Sequence, residues 1–244
     1  ITNLESQDRA IDLITNMGGR REGYPVRSLF SVKFQGLDED GLPTFLNEKG
    51  NVTSDDINFQ ERENLDFLQY EGPTDPTIQG SLGNIFKYKG FALNVFMTYS
   101  FGNVVRLDPV FSATYSDLSS MTKEFKNRWV QPGDEKYTDV PVVLSYYQYQ
   151  NNKQLRYGYN AYNYSDVRIA KGDFIRMKEI SLSYDFPKAW IHPLNNLSLK
   201  LQATILFLIY ADKKLNGQDP EFFRSGGVSS PVPRQFTLTV KVGL

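Results

Sequence analysis

Alternation of apolar and polar residues, sustained over runs tall enough to cross a bilayer, restricts the fold of this chain more than any other feature. From Phe91 to Gly102, the residues Phe91, Leu93, Val95, Met97, Tyr99 and Phe101 occupy one parity. Ala92, Asn94, Thr98, Ser100 and Gly102 occupy the other, with Phe96 as the exception. Successive side chains of a strand point to opposite faces, so this run has an oily flank and a wet one. About twelve residues at about 3.3 Å each, tilted near 45°, cross a hydrocarbon layer about 25 Å tall.

The pattern recurs. Ser81–Tyr88 alternates through Leu82, Phe86 and Tyr88, and only Lys89-Gly90 separates it from the first run, which predicts a tight hairpin. In Phe174–Phe186 the residues Ile180, Leu182, Tyr184 and Phe186 are in phase, while Ile175 and Met177 are not. A bulge or a change of environment is expected between them. Leu197–Ile209 puts Leu197, Leu199, Leu201, Ala203, Ile205, Phe207 and Ile209 on one face against Ser198, Lys200, Gln202 and Thr204. Phe236–Leu244 puts Phe236, Leu238, Val240, Val242 and Leu244 against Thr237, Thr239 and Lys241. An earlier strand is expected after Pro25, with Val26, Phe30, Val32 and Phe34 apolar against Arg27, Ser31, Lys33 and Gln35. Residues 1–24 read as a connector with loosely helical spacing, and 25–244 as the strand-bearing part.

Links between these strands alternate in length. Lys89-Gly90 and Pro187–Asn196 are short, whereas Gly36–Gly80, Asn103–Asp173 and Ala211–Arg234 are long and polar. A transmembrane β-barrel with brief periplasmic turns and extended extracellular loops has this form. About six strands are too few to close alone, and an open edge leaves backbone groups unpaired in lipid. The remaining strands are therefore expected from an N-terminal part of the same protein or from other copies. Ile1 is neither an initiator Met nor the start of a basic-apolar leader, so a processed or partial chain is expected.

Composition is compatible with this architecture. Mean hydropathy is −0.43, which does not oppose a membrane, because lipid-facing and lumen-facing residues average out along a strand. Tyr 15 and Phe 17 suit an aromatic-girdled barrel or a β-rich binding protein. Lys+Arg 27 against Asp+Glu 28 removes nucleic acid as a default partner. The absence of cysteine excludes a disulfide framework and thiolate-ligated zinc.

Several phrases, in order along nearly the whole chain, carry a resemblance. They are Glu22-Gly23-Tyr24-Pro25, Gly36-Leu37-Asp38, Tyr70-Glu71-Gly72-Pro73-Thr74-Asp75-Pro76, and Phe86–Phe91 running on to Tyr99–Asn103. Further along stand Trp129 with Pro132-Gly133-Asp134, Gly172–Lys178, Leu182-Ser183-Tyr184, Gly217-Gln218-Asp219-Pro220-Glu221, and Pro233-Arg234. This set resembles the SusC/RagA family of TonB-linked outer-membrane proteins. Ile205 stands where that family usually has Asn before Leu-Phe, and Leu244 where it more often ends in an aromatic.

The resemblance implies that the chain supplies about the last six strands of a barrel of about 22 strands, the size of plugged outer-membrane transporters. It implies an N-terminal plug and TonB-contacting segment outside this chain, and a SusD-like surface lipoprotein acting as a lid. It also implies residence in the outer membrane of a Gram-negative bacterium and TonB-dependent import, with an oligosaccharide as the first expectation and an oligopeptide as the second. From another class, a soluble all-β carbohydrate-binding module would use the same strands as a sandwich, its oily faces closed against each other.

No catalytic constellation is present, so no enzyme, metal or cofactor is expected. The one histidine, His192, lies in a short connection beside Pro193. Asp38-Glu39-Asp40-Gly41 lacks the rest of a calcium loop and reads as a hairpin turn. Asp134, Glu135 and Asp139 read as ordinary surface. The candidate ligand contacts are Tyr146, Tyr147, Tyr149, Tyr157, Tyr159, Tyr162 and Tyr164, interleaved with Gln148, Gln150, Asn151, Asn152 and Asn160. Aromatic faces with amide neighbours suit sugar stacking, and equally suit packing of the long loop. Phe222, Phe223 and Arg224 form a second candidate. A helix is expected after Ser116, with Leu118, Met121, Phe125 and Trp129 on one face. The terminal strand Phe236, Leu238, Val240, Val242 and Leu244 is expected to seal the barrel. A charge at Val240, near the midplane, is expected to cost about 2–4 kcal/mol.

Overall fold

Five of the alternating runs join in one antiparallel sheet. A computed structural model describes residues 1–244 except 5, 7, 16–17, 111–120, 223–232 and 244. The strands of the sheet are β1 (Ile78–Tyr88), β2 (Phe91–Phe101), β3 (Phe174–Asp185), β4 (Asn196–Ala211) and β5 (Gln235–Gly243). Each pairs with its neighbour in sequence, so the sheet is a pure up-and-down meander with β1 and β5 at its edges.

The β1–β2 turn is the two-residue hairpin that the sequence predicts. Lys89 and Gly90 both take positive φ, 45° and 87°, the combination whose twist matches that of the flanking strands. Gly90 has a second reason to be glycine. A Cβ there would come within 2.9 Å of the Asp185 carbonyl oxygen, and the Asp185 amide donates to the Gly90 carbonyl.

The expected bulge in β3 is present. Met177 pairs with Met97 and Glu179 with Phe96, which leaves Lys178 as an extra residue against β2. Across the other ladder Met177 pairs with Phe207 and Glu179 with Thr204, so Ile205 and Leu206 oppose Lys178. This insertion shifts the phase by one and returns Ile175 and Met177 to the face of Ile180 and Leu182. It also places Ile205 at φ 54°, a left-handed conformation that costs a β-branched residue about 1–2 kcal/mol.

The strand expected after Pro25 belongs elsewhere. Ser28–Val32 pairs antiparallel with Leu68–Pro73 in a separate two-stranded sheet, and all five of its residues are buried. Its alternation fails because Leu29, Ser31 and their neighbours are enclosed on both faces, so the chain contributes five strands to the large sheet, not six.

Two compact units are formed, one by Ile1–Asp75 with Val104–Ala170, the other by Pro76–Asn103 with Lys171–Leu244. The helix Ala10–Ile14 buries Ala10, Leu13 and Ile14 fully, so the opening segment is part of a core. In that core Phe30, Val32, Phe45, Tyr159 and Tyr162 pack together. Phe34–Leu37, Pro43–Leu46 and Val52–Thr53 form a three-stranded sheet. Its first turn is the hairpin expected at Asp38–Gly41, with Asp38 Oδ1 accepting from the Asp40 and Leu42 amides.

The helix expected after Ser116 is not an α-helix where it is described. Ser116 and Leu118 lie outside the described residues, and Lys123–Asn127 forms a 3-10 turn. Trp129 leaves the turn because its amide donates to the Val140 carbonyl. The Trp129 indole lies over Gly41, where a Cβ would come within 2.4 Å of it.

Ile205→Asn should raise stability by about 1 kcal/mol, because Asn tolerates the left-handed region that β-branched residues avoid. Ile205→Val should not. Thermal unfolding midpoints of the two variants check this.

Candidate functional site

The register assigns every side chain of the sheet to a face. Tyr88, Phe91, Tyr184, Leu199 and Val240 lie in one cross-strand row. The next rows are Phe86, Leu93, Leu182, Leu201 and Leu238, then Asn84, Val95, Ile180, Ala203 and Phe236. Beyond the bulge come Leu82, Met97, Met177 and Phe207, and then Gly80, Tyr99, Ile175 and Tyr210. The reverse face carries Lys87, Asn94, Thr98, Glu179, Ser181, Lys200, Gln202, Thr237 and Lys241.

The apolar face is uncovered. Leu82 is 60% exposed, Phe86 58%, Leu201 54%, Phe236 77% and Leu238 62%. Burying one such side chain is worth about 1.5–3 kcal/mol. About a dozen left in water forgo an amount larger than the 5–15 kcal/mol by which a whole domain is typically stable. A monomer in water does not normally carry such a patch. The sandwich arrangement requires these faces to be enclosed against a second sheet, and among the described residues none covers them.

Aromatic residues concentrate toward the two ends of this face. Tyr88, Phe91, Tyr184 and Phe186 lie at the end with the short connections, with Phe91 and Tyr184 centroids 4.4 Å apart and Tyr184 and Phe186 4.9 Å apart. Tyr99, Phe101 and Tyr210 lie at the other end, where Tyr99 and Phe101 stack at 5.7 Å. From Phe91 to Phe101, about ten steps of about 3.3 Å at about 45° of tilt project to about 23 Å.

On the reverse face one charged group is enclosed. Arg176 is 4% exposed; its Nη2 donates to Asp219 Oδ1 and its Nε lies 3.0 Å from Glu221 Oε2. These contacts tie the 217–221 segment to β3. Nearby, Asn94 Nδ2 donates to Glu179 Oε1 at 3.1 Å. Residues 172–178 and 217–221 are separate stretches of sequence, and nothing in alternation or spacing pairs a strand arginine with two loop carboxylates.

Other phrases also meet in pairs. Tyr24 and Tyr70 rings lie 4.8 Å apart, and the Thr74 amide and Oγ1 both donate to the Arg27 carbonyl. The Gly102 amide donates to Asp173 Oδ1 at 2.7 Å, and the Gly172 amide to the Asn103 carbonyl at 2.9 Å. Asp134 Oδ2 accepts from the Val130 and Gln131 amides, and Trp129 Nε1 donates to Glu135 Oε2.

The candidate tyrosines separate into two groups. Tyr146 and Tyr147, 79% and 74% exposed, begin the helix Tyr146–Asn151, which Ser145 caps by accepting from the Gln148 amide. Tyr149 and Tyr157 are half-buried, the latter with its hydroxyl accepting from Arg156 at 2.9 Å. Tyr159 and Tyr162, on the helix Leu155–Asn163, are 1% and 2% exposed, and Tyr159 donates to the Val142 carbonyl at 2.7 Å. Their surfaces are committed to packing, which removes them from the set open to a ligand. Tyr164 is half-buried, with the Arg106 guanidinium 5.5 Å from its ring. Arg106 donates to the Phe30 and Ser165 carbonyls, and burial pushes it down to about 10. It is a charged strut within the first unit.

Among the edge-strand residues, Phe236, Leu238, Val240 and Val242 are exposed on the apolar face. Leu244, Phe223 and Arg224 lie outside the described residues. His192 is exposed in the 187–195 connection. Among the described residues no His, Cys, Asp or Glu group has a metal-binding arrangement, and no helix is long and apolar enough to cross a membrane.

Burial raises the Tyr159 and Tyr162 hydroxyls above the free value of 10.0. The unfolded chain releases both protons above pH ~10 while the folded unit retains them, so stability falls as pH rises beyond that point. An alkaline titration followed by tyrosinate absorbance should show exposed tyrosines ionising first. Tyr159 and Tyr162 should ionise only as the unit unfolds.

No protein-family model and no curated protein matches this sequence. Solved structures do match its fold. The structure of the RagAB peptide transporter superposes with a TM-score of 0.63 at 20% sequence identity, covering 91% of this chain and 23% of that chain. The RagAB peptide importer in its "open-open" state gives 0.62 at 20% identity, over 92% of this chain and 23% of that one. In its "closed-closed" state it gives 0.61 at 20% identity, over 91% and 23%. The chain thus spans about a quarter of the length of the structures it matches.

Proposed function

We propose that this chain is the C-terminal portion of a SusC/RagA-type transporter barrel in the outer membrane of a Gram-negative bacterium. The whole protein would act as a TonB-dependent importer and not as an enzyme. The observation that carries this reading is the exposed apolar face running across five antiparallel strands, broken on β1 by Asn84 and Gly80 and backed by a mostly polar face. Lipid is the environment in which such a face is stable. β1 and β5 then pair with strands outside this chain, since edge groups in hydrocarbon require partners. The fold likeness to RagAB structures supports the same architecture.

A SusD-like lipoprotein over the mouth, TonB coupling through an N-terminal segment, and a bulky nutrient as cargo complete the proposal. Tyr146 and Tyr147, together with the half-buried Tyr149 and Tyr157, are the proposed ligand contacts. The exposed rings of Tyr146 and Tyr147 and the neighbouring Gln148 and Asn152 suit an oligosaccharide. An oligopeptide is the second reading, favoured by the fold shared with the RagAB peptide transporter. Binding of a glycan and a peptide panel to the intact protein with its lipoprotein tests the choice. A response to peptides alone would overturn the oligosaccharide reading.

The register also moves the position of greatest sensitivity. Val240 shares a row with Phe91 and Tyr184 near one end of the face, where a charge costs about 0–1 kcal/mol, whereas Val95 lies midway. Val95→Arg should therefore cost about 2–4 kcal/mol. Asn94→Lys, next to Glu179 on the other face, should be close to neutral. Urea unfolding in vesicles, read by heat-modifiable gel mobility, distinguishes the two. Equal costs would contradict a lipid-facing flank.

A further inference from the structure

The two ends of the sheet differ in charge. Residues 84–93, 183–201 and 239–243, around the short connections, carry about five basic side chains (Lys87, Lys89, Lys188, Lys200 and Lys241) against a single acidic one, Asp185. Residues 76–83, 94–103, 171–182 and 202–222, toward the other end, carry about five of each sign. A cationic end beside an oily face calls for an anionic, amphipathic neighbour.

Two details locate it. Lys89 occupies a left-handed turn position, φ 45°, that Asn, Asp or Gly fills with less strain. Its ammonium lies 5.2 Å from the ring centroid of Tyr88, a residue of the apolar face, so the charge sits over that face's rim. In the other short connection Trp190 is 72% exposed, next to exposed Lys188 in the turn Lys188–Trp190. Among the described residues neither lysine forms an ion pair. Tryptophan and tyrosine settle at headgroup depth because one part of each is apolar and another is polar.

We propose that this end is a docking rim for anionic phospholipid headgroups, with Lys89 and Lys188 meeting the phosphates and Tyr88, Tyr184 and Trp190 at headgroup level. The inference rests on the membrane reading above and adds a lipid partner and the residues that select it. A lysine near an anionic bilayer gains about fivefold in equilibrium terms, and salt weakens that gain.

The test uses the intact protein in vesicles of phosphatidylcholine, with or without phosphatidylglycerol, and reads the folded-to-unfolded ratio in urea. Phosphatidylglycerol should raise the ratio severalfold at low salt. The Lys89→Asn, Lys188→Gln pair should lose most of this gain while folding normally, because Asn suits the turn. The Lys213→Gln, Lys214→Gln pair, which removes the same charge at the other end, should keep it. A gain of equal size in all three proteins, or its loss in both pairs alike, overturns the rim while leaving the membrane reading standing. Failure to enter either vesicle overturns both.

Discussion

The ladder of backbone hydrogen bonds between consecutive strands decides everything else in the second unit. Once β1 to β5 pair in sequence order, each residue's face is fixed by its parity. The oily and wet flanks then become continuous surfaces instead of separate stripes. A slip of one residue in any ladder would interchange the two flanks of that strand. At the Lys178 bulge the parity changes on β3 alone, since the two extra residues Ile205 and Leu206 keep Ala203 and Phe207 on one face. β4 changes parity at Ile209, left unpaired between Leu208 and Tyr210, and the surfaces stay continuous through both irregularities.

Alternation makes this sheet legible in the sequence. The four later runs and the hairpin partner at Ser81–Tyr88 are where the residues place them, because each strand has one face open and one polar. The out-of-phase pair Ile175 and Met177 marked the bulge for the same reason. Ser28–Val32 departs from the alternation because it is enclosed on both sides. Ser31, between Arg27 and Lys33 on one parity, imitates a wet flank, while Leu29 on that parity and Ser28 on the other break the pattern.

The candidate site was legible only in part. Tyrosine-rich sequence does not separate a ring that packs from one that is presented, and Tyr159 and Tyr162 differ from Tyr146 and Tyr147 through helix position alone. The Arg176 cluster was invisible because its partners lie about 43 residues away in a segment without periodicity. Ile205 shows how a departure from a family habit can be read physically. Its position is the left-handed residue of a bulge, a conformation for which asparagine is the more tolerant occupant.

The first unit is assembled from two stretches of chain separated by the β1–β2 hairpin. Its core requires Phe34 against Tyr162, with centroids 5.9 Å apart, and the Val32 amide donating to the Tyr164 carbonyl. The hairpin returns the chain to its starting point, where the Thr77 amide donates to the Phe101 carbonyl. It therefore works as a hydrogen-bonded clasp that shortens the effective loop between the two halves and lowers the entropy lost when they meet. On that account the two-residue bend at Lys89-Gly90 also bears on how readily the core of the first unit assembles.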